Sequence, residues 1–127
     1  MTDITPKRIL LAEDDNAMRS FLSLMLSKSE YDVVACEDGR EAFNALTENT
    51  GAPFDLLLTD VVMPHMDGVE LTQKALSFCP SLKVLYITGF AAVESTNPAE
   101  NRSQIIPKPF HMNELLEKIS ETLNKAS

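Results

Sequence analysis

The sequence predicts an α/β fold in which a parallel β-sheet is covered on both faces by helices. Short apolar runs of strand length alternate along the chain with segments whose apolar residues recur at helical spacing. The runs I-L-L-A and L-L-L-T are continuously apolar rather than alternating, as in strands buried on both sides. At 127 residues the chain suits one domain with one core, and we find no internal repeat, low-complexity tract or linker.

Taken in order, Ile9 to Ala12 is the first strand, and it runs out into Glu13, Asp14 and Asp15. Met18, Phe21, Leu22, Met25 and Leu26 mark a helix from Asn16 to about Ser29, with Asp15 or Asn16 as its cap. Asp32 to Cys36 reads as the second strand. Ala42, Phe43 and Leu46 mark the second helix, which ends before Gly51-Ala52-Pro53. Phe54 to Thr59 is the most apolar strand and meets Asp60 at its end. Val69, Leu71, Thr72, Ala75 and Leu76 form a third helix stopped at Pro80. Lys83 to Thr88 is the fourth strand, Ile105 to Pro107 a short fifth. Leu115, Leu116, Ile119 and Leu123 place an amphipathic helix at the C-terminal end.

Composition excludes several classes. Eleven basic against nineteen acidic residues give a net charge of -8, without the basic stripe of a nucleic-acid binder. No stretch approaches the roughly 20 apolar residues of a spanning helix, and the N-terminus lacks the apolar run of a signal peptide. A cytoplasmic protein is expected. Cys36 and Cys79 form no C-x-x-C pair and read as small buried hydrophobes.

In open parallel sheets, ligands gather at the carboxyl ends of the strands. Here those ends carry Glu13, Asp14, Asp15 and Asp60, then Thr88-Gly89 and Lys108-Pro109-Phe110. Clustered carboxylates repel unless a cation lies between them, and Mg2+ is the hard cation suited to oxygen ligands. Lys108 and the Thr88 hydroxyl can both pair with an anion beside the metal. A metal, a lysine, a hydroxyl and one exposed carboxylate are the parts needed to form an acyl phosphate on that carboxylate.

The segments I-L-L-A-E-D-D-N-A-M-R, L-L-L-T-D-V-V-M-P-H-M-D-G, V-L-Y-I-T-G and P-K-P-F, in that order on successive strand ends, resemble the receiver domain of two-component response regulators. The resemblance covers nearly the whole chain. It implies a flavodoxin-like (CheY-like) doubly wound sheet of strand order 2-1-3-4-5 with five helices. It also implies that Asp60 accepts a phosphoryl group from a histidine kinase or histidine phosphotransferase. In receivers the metal-binding acid lies five residues before an arginine, here Arg19, which selects Asp14, with Glu13 as its acidic neighbour and Asp15 as helix cap. The resemblance further makes Val62 a Mg2+ ligand through its backbone carbonyl, Thr88 the switch hydroxyl and Lys108 the phosphate-pairing lysine. The Lys108-Pro109 bond is expected to be cis.

Other residues read more plainly. Pro64 and Gly68 set the turn into the third helix, Met63 shields the site, and His65 and His111 are exposed bystanders without metal-ligand spacing. A dinucleotide-binding enzyme would need a glycine-rich first turn, where this chain has E-D-D-N. A phosphatase with an aspartate nucleophile, of the haloacid-dehalogenase type, would carry a second acid at position 62, which is valine. A degenerate receiver that only docks is the remaining rival, against which stand Glu13, Asp14, Asp60, Thr88 and Lys108.

Within the receivers the chain looks most like the stand-alone CpdR-type regulators of alphaproteobacteria, through I-T-G-F-A-A-V and the segment before K-P-F-H. That resemblance implies a single receiver domain spanning 1–127 without an output domain. It also implies a downstream protein partner, the ClpXP protease, engaged in the unphosphorylated state. Apolar Val62 and Phe90 imply a long-lived phosphorylated form. Ile105 stands where receivers usually carry a switching aromatic residue. The stretch F-A-A-V-E-S-T-N-P-A-E-N-R-S-Q, with its Ser-Thr-Asn and Pro98, predicts a short or irregular helix between the fourth and fifth strands.

Overall fold

The computed structural model describes residues 6–49, 51–63, 65–88 and 103–124, with backbone alone at 88, 103 and 104. Five parallel strands, β1 (Arg8–Ala12), β2 (Asp32–Cys36), β3 (Leu56–Asp60), β4 (Lys83–Thr88) and β5 (Ser103–Pro107), form one sheet of order β2-β1-β3-β4-β5. The described helices are α1 (Asn16–Lys28), α2 (Gly39–Thr47), α3 (Gly68–Phe78) and α4 (Met112–Asn124). The helix expected between β4 and β5, together with Phe90, lies outside the described residues, as does Pro64.

Alternate strand residues feed opposite layers. Leu10 and Leu57 pack with Ala42, Leu46, Leu71 and Ala75 of α2 and α3. Ile9, Leu11, Leu56 and Leu58 pack with Leu22, Leu26, Leu115 and Ile119 of α1 and α4. All five residues of β3 are buried, which is why its sequence reads as an unbroken apolar run up to the carboxylate.

The third strand begins at Leu56, later than the predicted Phe54, and includes Asp60. Phe54 and Asp55 are engaged by Arg8 instead. The guanidinium carbon lies 4.4 Å from the centre of the Phe54 ring, and the Arg8 backbone N–H donates to Asp55 Oδ2 at 2.8 Å. Arg8 also pairs with Asp32 (Nε to Oδ2, 3.0 Å) and donates to Asn49 Oδ1 and the Ala52 carbonyl, clasping the end of the sheet opposite to Glu13 and Asp60.

Both α2 and α3 start with the same tetrapeptide pattern, D-G-x-E. Asp38 Oδ1 accepts from the Glu41 N–H and Asp67 Oδ1 from the Glu70 N–H, each at 2.8 Å, so each aspartate caps its helix. Neither glycine has a positive φ. What each supplies is the absence of a Cβ. An added one would stand 2.4 Å from the Met66 carbonyl oxygen at Gly39 and 2.1 Å from the Asp60 carbonyl oxygen at Gly68.

The cysteines divide. Cys36 is buried, but Cys79 is only partly so, because it caps the C-terminus of α3 with its N–H on the Ala75 carbonyl at 2.7 Å. No described helix is long and apolar enough to cross a membrane.

Candidate functional site

The carboxyl ends of β1 and β3 bring the acidic residues together. The Glu13 N–H continues the ladder onto the Cys36 carbonyl at 3.0 Å, which turns the Glu13 side chain into the interior, where it is fully buried. Asp14, next along, is exposed. Carboxylate oxygens of Glu13, Asp14 and Asp60 all lie within 4.8 Å of one another. Asp15 is not in this group. Its Oδ1 accepts the Ala17 N–H at 3.2 Å and caps α1, so helix geometry separates the cap from the ligand candidates. Arg19 donates to the Glu13 carbonyl at 2.9 Å and ties α1 to the same corner.

Asp60 departs from expectation. The sequence predicts an exposed carboxylate, but the Asp60 side chain is only 11% exposed. The surrounding elements explain this: Gly68 lies on its carbonyl, the Val62 N–H reaches its Oδ1 at 3.4 Å, and Lys108 covers Oδ2 at 2.9 Å. Lys108 follows β5, precedes a cis bond to Pro109 as expected, and also reaches Glu13 Oε1 at 3.4 Å.

Three carboxylates cluster beside the Lys108 ammonium here. Burial pushes the Glu13 carboxyl above its usual range; the Asp15 N–H opposes this, the Asp60 charge adds to it, and Lys108 opposes it. Burial alone would lower the Lys108 ammonium, but its hydrogen bond to Asp60 and the charges of Asp60 and Glu13 outweigh that and raise it.

The other predicted site residues fall as follows. Thr88 ends β4 with its backbone opposite Pro107; its side chain is outside the described residues. Val62 stands 67% exposed beside Asp60, whereas Met63 is buried with Val61 in the layer of α2 and α3. His65 and His111 are exposed, and His65 adopts a left-handed φ of 71° in the loop between Asp60 and α3. Sequence reasoning gave no part to Gly39, although the repeated D-G-x-E pattern could have flagged it.

Residues 9–120 match the model of the response regulator receiver domain. Over 120 residues the chain is 48% identical to the response regulator receiver protein CpdR of Brucella abortus, covering 92% of this chain and 97% of that protein. It is 33% identical over 119 residues to the sensor kinase CckA of the same organism, covering 92% of this chain but 12% of the kinase. A receiver domain protein (CheY-like) from Methanospirillum hungatei superposes with a TM-score of 0.84 at 32% identity, covering 94% of this chain and 95% of that one. The match over most of the chain and the five-stranded sheet ending in a carboxylate cluster lead to one conclusion: the chain belongs to the response regulator receiver domain family.

Proposed function

We propose that Asp60 is the phosphoacceptor, taking its phosphoryl group from a phosphohistidine of a histidine kinase or histidine phosphotransferase. The observation that carries this is the Lys108 ammonium 2.9 Å from Asp60, in the same cluster as Glu13 and Asp14. In the transfer, an Asp60 carboxylate oxygen forms the new P–O bond as the P–N bond breaks, leaving the electron pair on the imidazole nitrogen. The charge of the phosphoryl oxygens then offers Lys108 a second partner beside Asp60. Thr88, at the end of β4, is the hydroxyl that would read this change.

The hard oxygen donors of Glu13, Asp14 and Asp60, with the Val62 backbone carbonyl, fit Mg2+. When bound, Mg2+ supplies neutralisation of charge on the phosphoryl oxygens. Besides this transfer, self-phosphorylation from small phosphodonors and slow hydrolysis of the aspartyl phosphate complete the chemistry in this reading. Lys108 also lines a groove of about 520 Å³ with Met18, Phe21, Pro109, Phe110, His111 and Met112, a mostly apolar seat for the phosphodonor protein.

The 48% identity to CpdR supports a receiver that acts by protein contact, and the CpdR-type resemblance extends this reading to regulation of ClpXP-dependent proteolysis according to phosphorylation state. Incubation with Mg2+ and acetyl phosphate followed by intact mass tests the acceptor. Wild type and Asp15→Ala should gain one phosphoryl group and Asp60→Asn none. Labelling of Asp60→Asn at a rate near wild type would overturn the assignment. A pull-down with ClpXP comparing wild type, Asp60→Asn and the phosphorylated protein tests the output.

A further inference from the structure

Gly39 lies on α2 and contributes no atom to the acidic cluster, yet it is buried against the loop that leaves Asp60. Its φ is not positive, so backbone freedom does not require glycine there. Helix propensity would favour almost any other residue. The requirement is contact: a Cβ would stand 2.4 Å from the Met66 carbonyl oxygen and 3.0 Å from the Met66 Cβ, where ordinary contact begins at 3.4 Å.

The next contact along the loop repeats the arrangement. Two residues past Met66, Gly68 sits on the Asp60 carbonyl and donates its N–H to the Val61 carbonyl at 2.7 Å. Immediately before Met66, His65 takes its left-handed φ of 71°, a conformation that a non-glycine residue holds only when its surroundings fix it. Of the described loop residues, Met66 thus rests on the start of α2, and Val61 is tied to Gly68, which itself lies on the backbone of Asp60. The same loop carries Val62, whose carbonyl belongs to the proposed Mg2+ ligand set.

We propose that Gly39 is a positioning residue for the phosphorylation site: by letting α2 start directly on Met66, it sets the place of the Val62 carbonyl relative to the Glu13, Asp14 and Asp60 carboxylates. This rests on the reading of Asp60 and its neighbours as a Mg2+-dependent phosphoacceptor site. A Cβ at residue 39 displaces the loop by on the order of 1 Å, enough to weaken a ligand set without removing any ligand.

The test is labelling by acetyl phosphate across a Mg2+ titration. Wild type, Gly39→Ala and the exposed neighbour control Arg40→Ala are compared at a temperature where circular dichroism shows all three folded. Gly39→Ala should need about tenfold more Mg2+ for half-maximal rate, and recover much of the wild-type rate when saturated. Arg40→Ala should match wild type. A purely structural glycine would change the labelled amplitude and leave the half-saturation point alone, which overturns the proposal. In wild type, backbone NMR of a titration with Mg2+ alone should move the Gly39, Val62 and Met66 amides with one common half-saturation. A stationary Gly39 amide also overturns it, whether or not the variant folds. Wild type that takes no label defeats the phosphoacceptor reading and this inference with it; labelled wild type with an insensitive Gly39→Ala defeats this inference alone.

Discussion

The Lys108 ammonium donates to Asp60 Oδ2 at 2.9 Å, joining residues 48 apart in the chain across the carboxyl ends of β3 and β5. This contact makes the lysine a competitor for the carboxylate that a divalent cation would also use.

Replacing Lys108 with Met therefore has two opposed effects. Buried Glu13 and Asp60 lose their cation, so the metal-free protein is expected to lose about 1–3 kcal/mol in urea unfolding. Removing a positive charge from the cluster should tighten Mg2+ by roughly fivefold in calorimetric titration. Equal Mg2+ affinity in the variant and wild type would contradict the competition.

Cys36 offers a test of burial. Its thiol is pushed up to about 12 by burial, reinforced by Glu41 and Asp38, against an ordinary value of 9.0. At pH 8 iodoacetamide should modify Cys79 and spare Cys36 until the protein unfolds. The sign of the linkage follows. Between pH 9 and about 12 the unfolded thiol has released its proton while the folded one retains it. Stability therefore falls as pH rises across that window, and Cys36→Ala should flatten the fall.

Arg8 should prove a larger stability determinant than an ordinary partly exposed arginine. Its side chain combines the Asp32 ion pair, the Asn49 and Ala52 hydrogen bonds and the Phe54 ring contact. Arg8→Ala is expected to cost about 2–3 kcal/mol in denaturant unfolding. Arg8→Lys should recover less than half of that, since an ammonium cannot reproduce the planar fork.

The side chain of Val62, a residue 67% exposed beside Asp60, carries no polar group that could orient water toward an aspartyl phosphate. Val62→Asn should shorten the phosphoprotein half-life by about tenfold, followed by intact mass after removal of the phosphodonor. An unchanged half-life would show that access at this residue does not set the rate.

Much of this arrangement was legible in the sequence because strand ends are local features. The runs I-L-L-A and L-L-L-T announced buried strands, and the carboxylates following them had to gather at one sheet edge. The receiver-like spacing to Arg19 singled out Asp14 and left Asp15 as the cap, and the Ala17 N–H on Asp15 Oδ1 agrees with that cap. What remained hidden depends on how loops and side chains pack rather than on a local pattern. The burial of Asp60 comes from Gly68, Val62 and Lys108 together, and the reach of Lys108 to Glu13 spans 95 residues. The Arg8 clasp joins Asp32, Asn49, Phe54 and Asp55, which no local pattern links to Arg8. Gly39 likewise acquires its meaning only when Met66 is placed against it.

The interior position of β1 has a consequence for synthesis of the chain. β1 is made first and can pair early with β2, but its other edge stays open until β3 leaves the ribosome, and the Arg8 and Asp55 that join there are 47 residues apart. At synthesis rates of about 5–20 residues per second, an apolar strand edge with unpaired backbone groups is exposed for seconds during each round of translation. Nascent chains paused between β2 and β3 should therefore be the ones that chaperones retain, and slow codons in that interval should lower the yield of folded protein more than the same codons placed after β3.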